Sequence, residues 1–81
     1  MVVNRKVESA PLVMYTIMGH PTDYPQWWVA RKDLVYPDEV RWEEKRLYPS
    51  LFRARLPLAR MGLYRMARHP ENDPVIVETW F

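Results

Sequence analysis

The chain has 81 residues, no cysteine, and 12 Lys and Arg against 10 Asp and Glu; it is 48% hydrophobic and 14% aromatic. One domain is the only reasonable count. Disulfides and thiolate metal sites are excluded, and the apolar fraction argues against wholesale disorder. No run approaches the roughly 20 apolar residues of a membrane span, so no membrane partner is expected. The absence of cysteine fits a reducing, cytoplasmic location, and the first 20 residues lack the apolar centre and cleavage site of a signal peptide. A domain this small buries only roughly 60% of the surface its unfolded chain exposes, so an interface with a partner or a second copy would add to its core.

Residues 1 to 10 read as a flexible leader to a single domain over residues 1 to 81. Residues 12 to 18, LVMYTIM, are rich in β-branched and aromatic types and predict a strand. The loop HPTDYP follows, stiffened by two prolines that also push their preceding residues out of the helical region. Residues 26 to 36, QWWVARKDLVY, predict a second strand, with Trp28, Ala30 and Lys32 on one face and Trp27, Val29 and Arg31 on the other. Residues 39 to 48 are ambiguous. Val40, Trp42 and Glu44 alternate as in an edge strand, whereas Asp38 as an N-cap would suit a short helix; the early stop at Pro49 favours the extended form.

Residues 50 to 61, SLFRARLPLARM, predict a helix with Ser50 as N-cap and Gly62 just past its end. Two features conflict with that reading: Arg55 falls in the middle of the apolar arc, and Pro57 removes a helical hydrogen bond. A kink at Pro57 would relieve both, and a strand over 52 to 56 is the alternative. Residues 63 to 67 alternate and could form a short strand. RHPENDP is a turn region by composition. Residues 75 to 80, VIVETW, are the clearest strand, with Val75, Val77 and Thr79 on one face and Ile76, Glu78 and Trp80 on the other.

Charge is unevenly spread. Residues 1 to 40 carry about −1, residues 41 to 68 carry +6, and residues 69 to 81 carry −3. Seven of the eight cations in the middle block are arginines, which make bidentate contacts to carboxylate or phosphate that lysine does not.

The ends carry a resemblance. MYTIMGHPTDYPQWWVAR and GLYRMARHPENDPVIVETWF are similar to a group of small proteins from bacteria and their tailed phages. These share a His-Pro-x-Asp-Tyr-Pro loop before a strand ending in Val-x-Arg, and they close on a DDPVIVETW-like strand. The matching residues are His20, Pro21, Asp23, Tyr24, Pro25, Val29, Arg31, Ser50, Leu51, Gly62, Leu63, Arg68 and Asp73 through Trp80. Residues 32 to 48 are not covered, and residues 57 to 61 depart from the pattern, where a shorter turn is usual. The resemblance implies a shared frame and a phage-like context, and it implies no activity.

Three functional readings compete. His20, Asp23, His69 and Asp73 could supply a general base or begin a metal site, but neither spacing is a ligand signature, and all four sit in proline-framed turns. With two glycines, no phosphate-cradling loop and no nucleophile elbow, neither an enzyme nor a cofactor is expected. The basic block Arg41, Lys45, Arg46, Arg53, Arg55, Arg60 and Arg65, interleaved with Trp42, Tyr48, Phe52 and Tyr64, could bind nucleic acid by stacking and phosphate contact. The same cations could equally form a solvated face paired with Glu43, Glu44, Glu71 and Glu78. Finally, Trp27, Trp28, Trp42, Trp80 and Phe81 exceed the needs of so small a core, which points to an interface.

The expectation is an α+β domain: a three- to four-stranded, mainly antiparallel sheet with one helix on one face and the last strand inside the sheet beside the first. The expected function is that of a small non-catalytic accessory protein binding a protein partner or itself through Trp27, Arg31, Trp42, Arg53 and Arg60. Nucleic-acid binding through segment 41–68 is the alternative.

Overall fold

A computed structural model describes residues 10–81; all but Ala10 of the expected leader lies outside the described residues. The fold is α+β, with one helix and a five-stranded antiparallel sheet. The strands are β1 (Leu12–Gly19), β2 (Trp28–Val35), β3 (Val40–Tyr48), β4 (Arg65–Ala67) and β5 (Ile76–Trp80), and the helix is α1 (Leu51–Arg60). The order across the sheet is β3-β2-β1-β5-β4, so β5 lies inside beside β1, as expected. The expected count of three to four strands falls short. Segment 39–48 is extended, and β4, only three residues long, pairs outside β5.

The helix carries both end signals that the sequence offers. The Ser50 hydroxyl accepts from the Arg53 backbone N–H at 3.1 Å, which satisfies one of the free donors of the first turn. At the other end Gly62 adopts φ +80°. Its N–H donates to the Ala59 carbonyl at 3.0 Å, and the Leu63 N–H donates to Leu58 at 3.3 Å. That bond pair is a Schellman close, and it needs a residue that tolerates the left-handed region. The helix does not end at Pro57 but runs as one element to Arg60. The missing proline N–H leaves the Arg53 carbonyl without its usual helical donor, on a residue that is exposed to water.

The helix lies across β1, β2 and β3 on one face of the sheet. Its buried residues, Ala54 and Leu58, are four apart and meet Ile17, Ala30 and Trp80 in the core. Tyr15, Trp28, Tyr48, Leu51, Leu63 and Val77 pack around that cluster. Arg55, the residue that spoils the apolar arc, also points to this face because Glu78 waits there. The Glu78 side chain is 1% exposed. It accepts from Arg55 Nε at 2.8 Å, Arg55 Nη2 at 2.7 Å and the Trp80 indole N–H at 2.9 Å. Arg65 Nη1 stands 3.6 Å away.

Two bulges set the sheet's faces. In β5, Ile17 pairs with Glu78 but Met18 pairs with Ile76. Val77 is therefore an extra residue and joins the core instead of sharing a face with Thr79. In β3, Lys32 pairs with Glu44 but Asp33 pairs with Trp42. Trp42 and Glu44 thus lie on opposite faces, against the simple alternation expected for this segment.

The chain end is pinned beyond β5. Phe81 and Tyr64 exchange backbone hydrogen bonds at 3.0 and 3.1 Å, and the Asp73 carboxylate accepts from the Val75 N–H at 3.0 Å to set the preceding turn. No described helix is long and apolar enough to cross a membrane.

Arg55→Met is expected to lower stability by about 3 kcal/mol, because Glu78 keeps a buried charge without its bidentate partner. Glu78→Gln should cost less, since the Arg55 side chain is 38% exposed and can turn to water; urea midpoints that reverse this order would contradict the assignment. Burial alone would raise the Glu78 pKa, but hydrogen bonds from Arg55 and Trp80, with the charges of Arg55 and Arg65, hold it below its ordinary value. The unfolded chain therefore binds this proton more readily. The Glu78 contribution should be complete above about pH 4.5 and be lost as pH falls from there through the depressed folded value. Acid titrations of the wild type and Glu78→Gln, followed by circular dichroism, check this: the acid-side slope should flatten in the variant.

A methyl added at Gly19 would stand 2.9 Å from the Trp28 ring and 3.2 Å from Val77. Gly19→Ala should therefore destabilise by roughly 1–3 kcal/mol through overpacking. A thermal midpoint equal to wild type would show that Trp28 can move aside.

Candidate functional site

The face of the sheet away from the helix carries Met18, Val29, Arg31, Asp33, Trp42 and Lys45 through the β1–β2 and β2–β3 register. Its middle is held by a second buried acid. Asp33 has a side chain 1% exposed and accepts from Arg31 Nε at 2.9 Å and Arg31 Nη2 at 3.2 Å. The Thr16 hydroxyl, opposite Arg31 on β1, donates to the same carboxylate at 3.3 Å. Arg31 is thereby locked in one orientation with 36% of its side chain exposed. Arg31 Nη1 has no hydrogen-bond partner among the described residues.

The loop of residues 20 to 27 forms one wall over this face. Tyr24 N–H donates to the Pro21 carbonyl at 2.9 Å, Trp27 N–H to Tyr24 at 3.1 Å, and His20 N–H to Trp27 at 3.0 Å. His20 sits in the left-handed region, at φ 51°, at a cost of roughly 1–2 kcal/mol for a non-glycine residue. Its ring offsets part of that cost: Nδ1–H donates to the Pro25 carbonyl at 3.0 Å, and the ring tilts against Trp28 at 4.9 Å. Because a carbonyl only accepts, this bond fixes the proton on Nδ1.

Between that loop and β3 lies a cleft of about 240 Å³, with Met18 and Val29 at its base, Pro21, Asp23 and Tyr24 on the loop side, and Arg31, Trp42 and Lys45 along the strands. The Lys45 ammonium stands 5.1 Å from the Tyr24 ring and 5.5 Å from the Trp42 ring, within the range of cation–π attraction. It has no carboxylate partner among the described residues. Trp42 is 61% exposed. A second groove of about 300 Å³ lies on the helix side, between α1 and β3, and includes Tyr15, Tyr48, Lys32 and Arg46. Both of its cations are already paired, Lys32 with Glu43 at 3.0 Å and Arg46 with Glu44 at 3.2 Å.

Of the predicted contact set, Arg31 and Trp42 come together in the cleft. Trp27 is 40% exposed at the end of the loop but does not line it. Arg53 and Arg60 are exposed on the helix, across the sheet from the cleft. Of the predicted basic set, Arg41 pairs with Glu39 at 3.0 Å, Arg46 with Glu44, Arg55 with Glu78, and Arg65 lies near Glu78. Arg53 and Arg60 have no carboxylate partner among the described residues.

The four turn residues stay in their turns. His20 bonds Pro25, the His69 ring accepts from the Glu71 N–H at 3.2 Å, and Asp73 bonds Val75, while Asp23 faces the cleft. No group of three His, Asp or Glu side chains among the described residues converges to hold a metal ion.

The sequence sets Lys45 and Trp42 together only within the basic block and Tyr24 only in the frame, and does not join the three with Arg31 in one cleft. The missing signal is the β3 bulge, which brings Trp42 and Lys45, three residues apart, to one face. No protein-family model matches the chain, and comparisons with curated proteins and with solved structures give no match.

Frame and cleft surface separate by stability. Arg31→Met, which strands the buried Asp33 charge, should cost about 3 kcal/mol. Trp42→Ala should stay within about 0.5 kcal/mol of wild type, as exposed substitutions usually do. Comparable losses in urea unfolding would make Trp42 part of the core.

Proposed function

We propose that this is a small non-catalytic accessory protein that binds a protein partner with the open face of its sheet, at the cleft between the 20–27 loop and β3. The observation that carries this reading is the state of the cations. Arg41, Arg46 and Arg55 are each paired with a carboxylate and Arg65 lies near the same Glu78, whereas the cleft sets a locked Arg31 and an unpaired Lys45 beside an exposed Trp42. Arginine and tryptophan in one concave, half-dry setting are the usual anchors of a protein interface.

The sheet edges support the face over edge-to-edge pairing. β3 carries five charged residues and a bulge, and β4 is three residues long, both standard guards against strand addition. Pairing of Arg41, Arg46 and Arg55 weakens the case for nucleic acid, since phosphate would have to displace carboxylates already in place.

The test is affinity purification of the tagged protein from its source cell, in three forms: wild type, Trp42→Ala, and Arg53→Glu with Arg60→Glu. One protein should co-purify with the wild type and with the helix variant, and be lost with Trp42→Ala. Retention by Trp42→Ala, or recovery of nucleic acid that dissociates steeply as salt rises, would overturn the reading.

A further inference from the structure

Arg31 and Lys45 are direct cross-strand partners on the open face. Like charges so placed repel, and each has been drawn aside: Arg31 onto the buried Asp33, Lys45 onto the Tyr24 and Trp42 rings. The guanidinium uses Nε and Nη2 for Asp33, leaving Nη1 without a protein partner among the described residues. Two adjacent cations, one locked and one held only by aromatic faces, thus meet at the mouth of an apolar-based cleft.

Resting on the open-face reading above, we propose that this pair is the anchor point for the carboxylate of an acidic side chain of the protein partner. The carboxylate takes Arg31 Nη1 and draws Lys45 from between its rings. Met18 and Pro21, both partly exposed on the cleft wall, take the apolar stem beside it. A volume of about 240 Å³ falls below the roughly 300–1,000 Å³ of sites for whole small-molecule ligands, so it suits a side chain. Asp23 and Asp33 bring the formal charge around the cleft to zero, so recognition there rests on the two local donors, Arg31 Nη1 and the Lys45 ammonium, and not on net charge.

The test uses ¹H–¹⁵N spectra of the full chain with the probe Ac-Leu-Glu-Leu-NH₂ at millimolar concentration. The Trp42 indole N–H, the Arg31 Nε–H and the Lys45 amide should move together. Ac-Leu-Gln-Leu-NH₂ should bind about tenfold more weakly or worse, the factor a charge-assisted hydrogen bond is worth. Lys45→Met keeps the stem on an exposed position, avoids stranding Asp33, and should weaken the glutamate peptide by a similar factor.

No movement of these signals with the glutamate peptide, equal affinity for the glutamine peptide, an unaffected Lys45→Met, or tighter binding of inorganic phosphate would each overturn the carboxylate anchor. The purification experiment separates the two levels. A partner lost with Trp42→Ala but kept by Lys45→Met removes the anchor and leaves the open-face reading. A partner kept by both removes the open-face reading itself.

Discussion

The Glu78 carboxylate, buried beneath the helix, is the constraint on which the rest of the fold depends. Only six hydrophobic residues among those described are buried, so the core alone is thin. Into it the chain places a charge that must be matched, and the match comes from three elements at once: Arg55 on α1, Trp80 on β5 and Arg65 on β4. A buried ion pair is weak evidence of net stability, because desolvation offsets most of the attraction. Its effect here is on register. Sliding β5 by one residue would carry Glu78 to the open face, bury Thr79 against the helix and leave Arg55 facing apolar side chains.

The other face repeats the device with a different outcome. Asp33 is as buried as Glu78 and is also held by an arginine fork, with the Thr16 hydroxyl in place of the indole. No helix covers this arginine. The same chemical unit thus serves as a lock on the closed face and as a mount on the open one. Where the helix lies, the arginine is absorbed into the structure; where only the 20–27 loop stands nearby, it is presented at a cleft.

Much of this was legible in the residues. Ser50 and Gly62 bracket the helix because a cap acceptor and a left-handed close are local requirements. β1 and β5 were visible as period-two or apolar runs, and the place of β5 beside β1 was expected. What was not legible came from partners distant in sequence or from single inserted residues. Arg55 looked like a defect in an apolar arc because its partner is 23 residues away. The block charge of +6 over residues 41 to 68 counted neither Glu39 nor Glu78, which neutralise Arg41 and Arg55 from outside it. The bulges beside Glu43 and Val77 each shift the phase of a strand by one residue, and period-two counting has no way to locate them. For the same reason the expected contact set was split. Trp27, Arg53 and Arg60 were grouped with Arg31 and Trp42 by residue type, and the sheet separates the helical pair from the cleft.

That split bears on where recognition is placed. A helix-surface arginine without a carboxylate partner is a mobile, hydrated charge, and ordering it on binding costs roughly 0.5–1.5 kcal/mol of side-chain freedom. Arg31 has already met that cost in folding, because Asp33, itself bonded by the Thr16 hydroxyl, holds it in place. Lys45 is partly ordered by its two rings. A ligand group arriving at the cleft therefore finds one donor preorganised and a second within a short swing, whereas the same group at Arg53 or Arg60 must order each donor for itself. The difference follows from the fold. Burying Asp33 on the uncovered side of the sheet would be a poor way to add stability alone, but it is an effective way to fix the direction of an arginine.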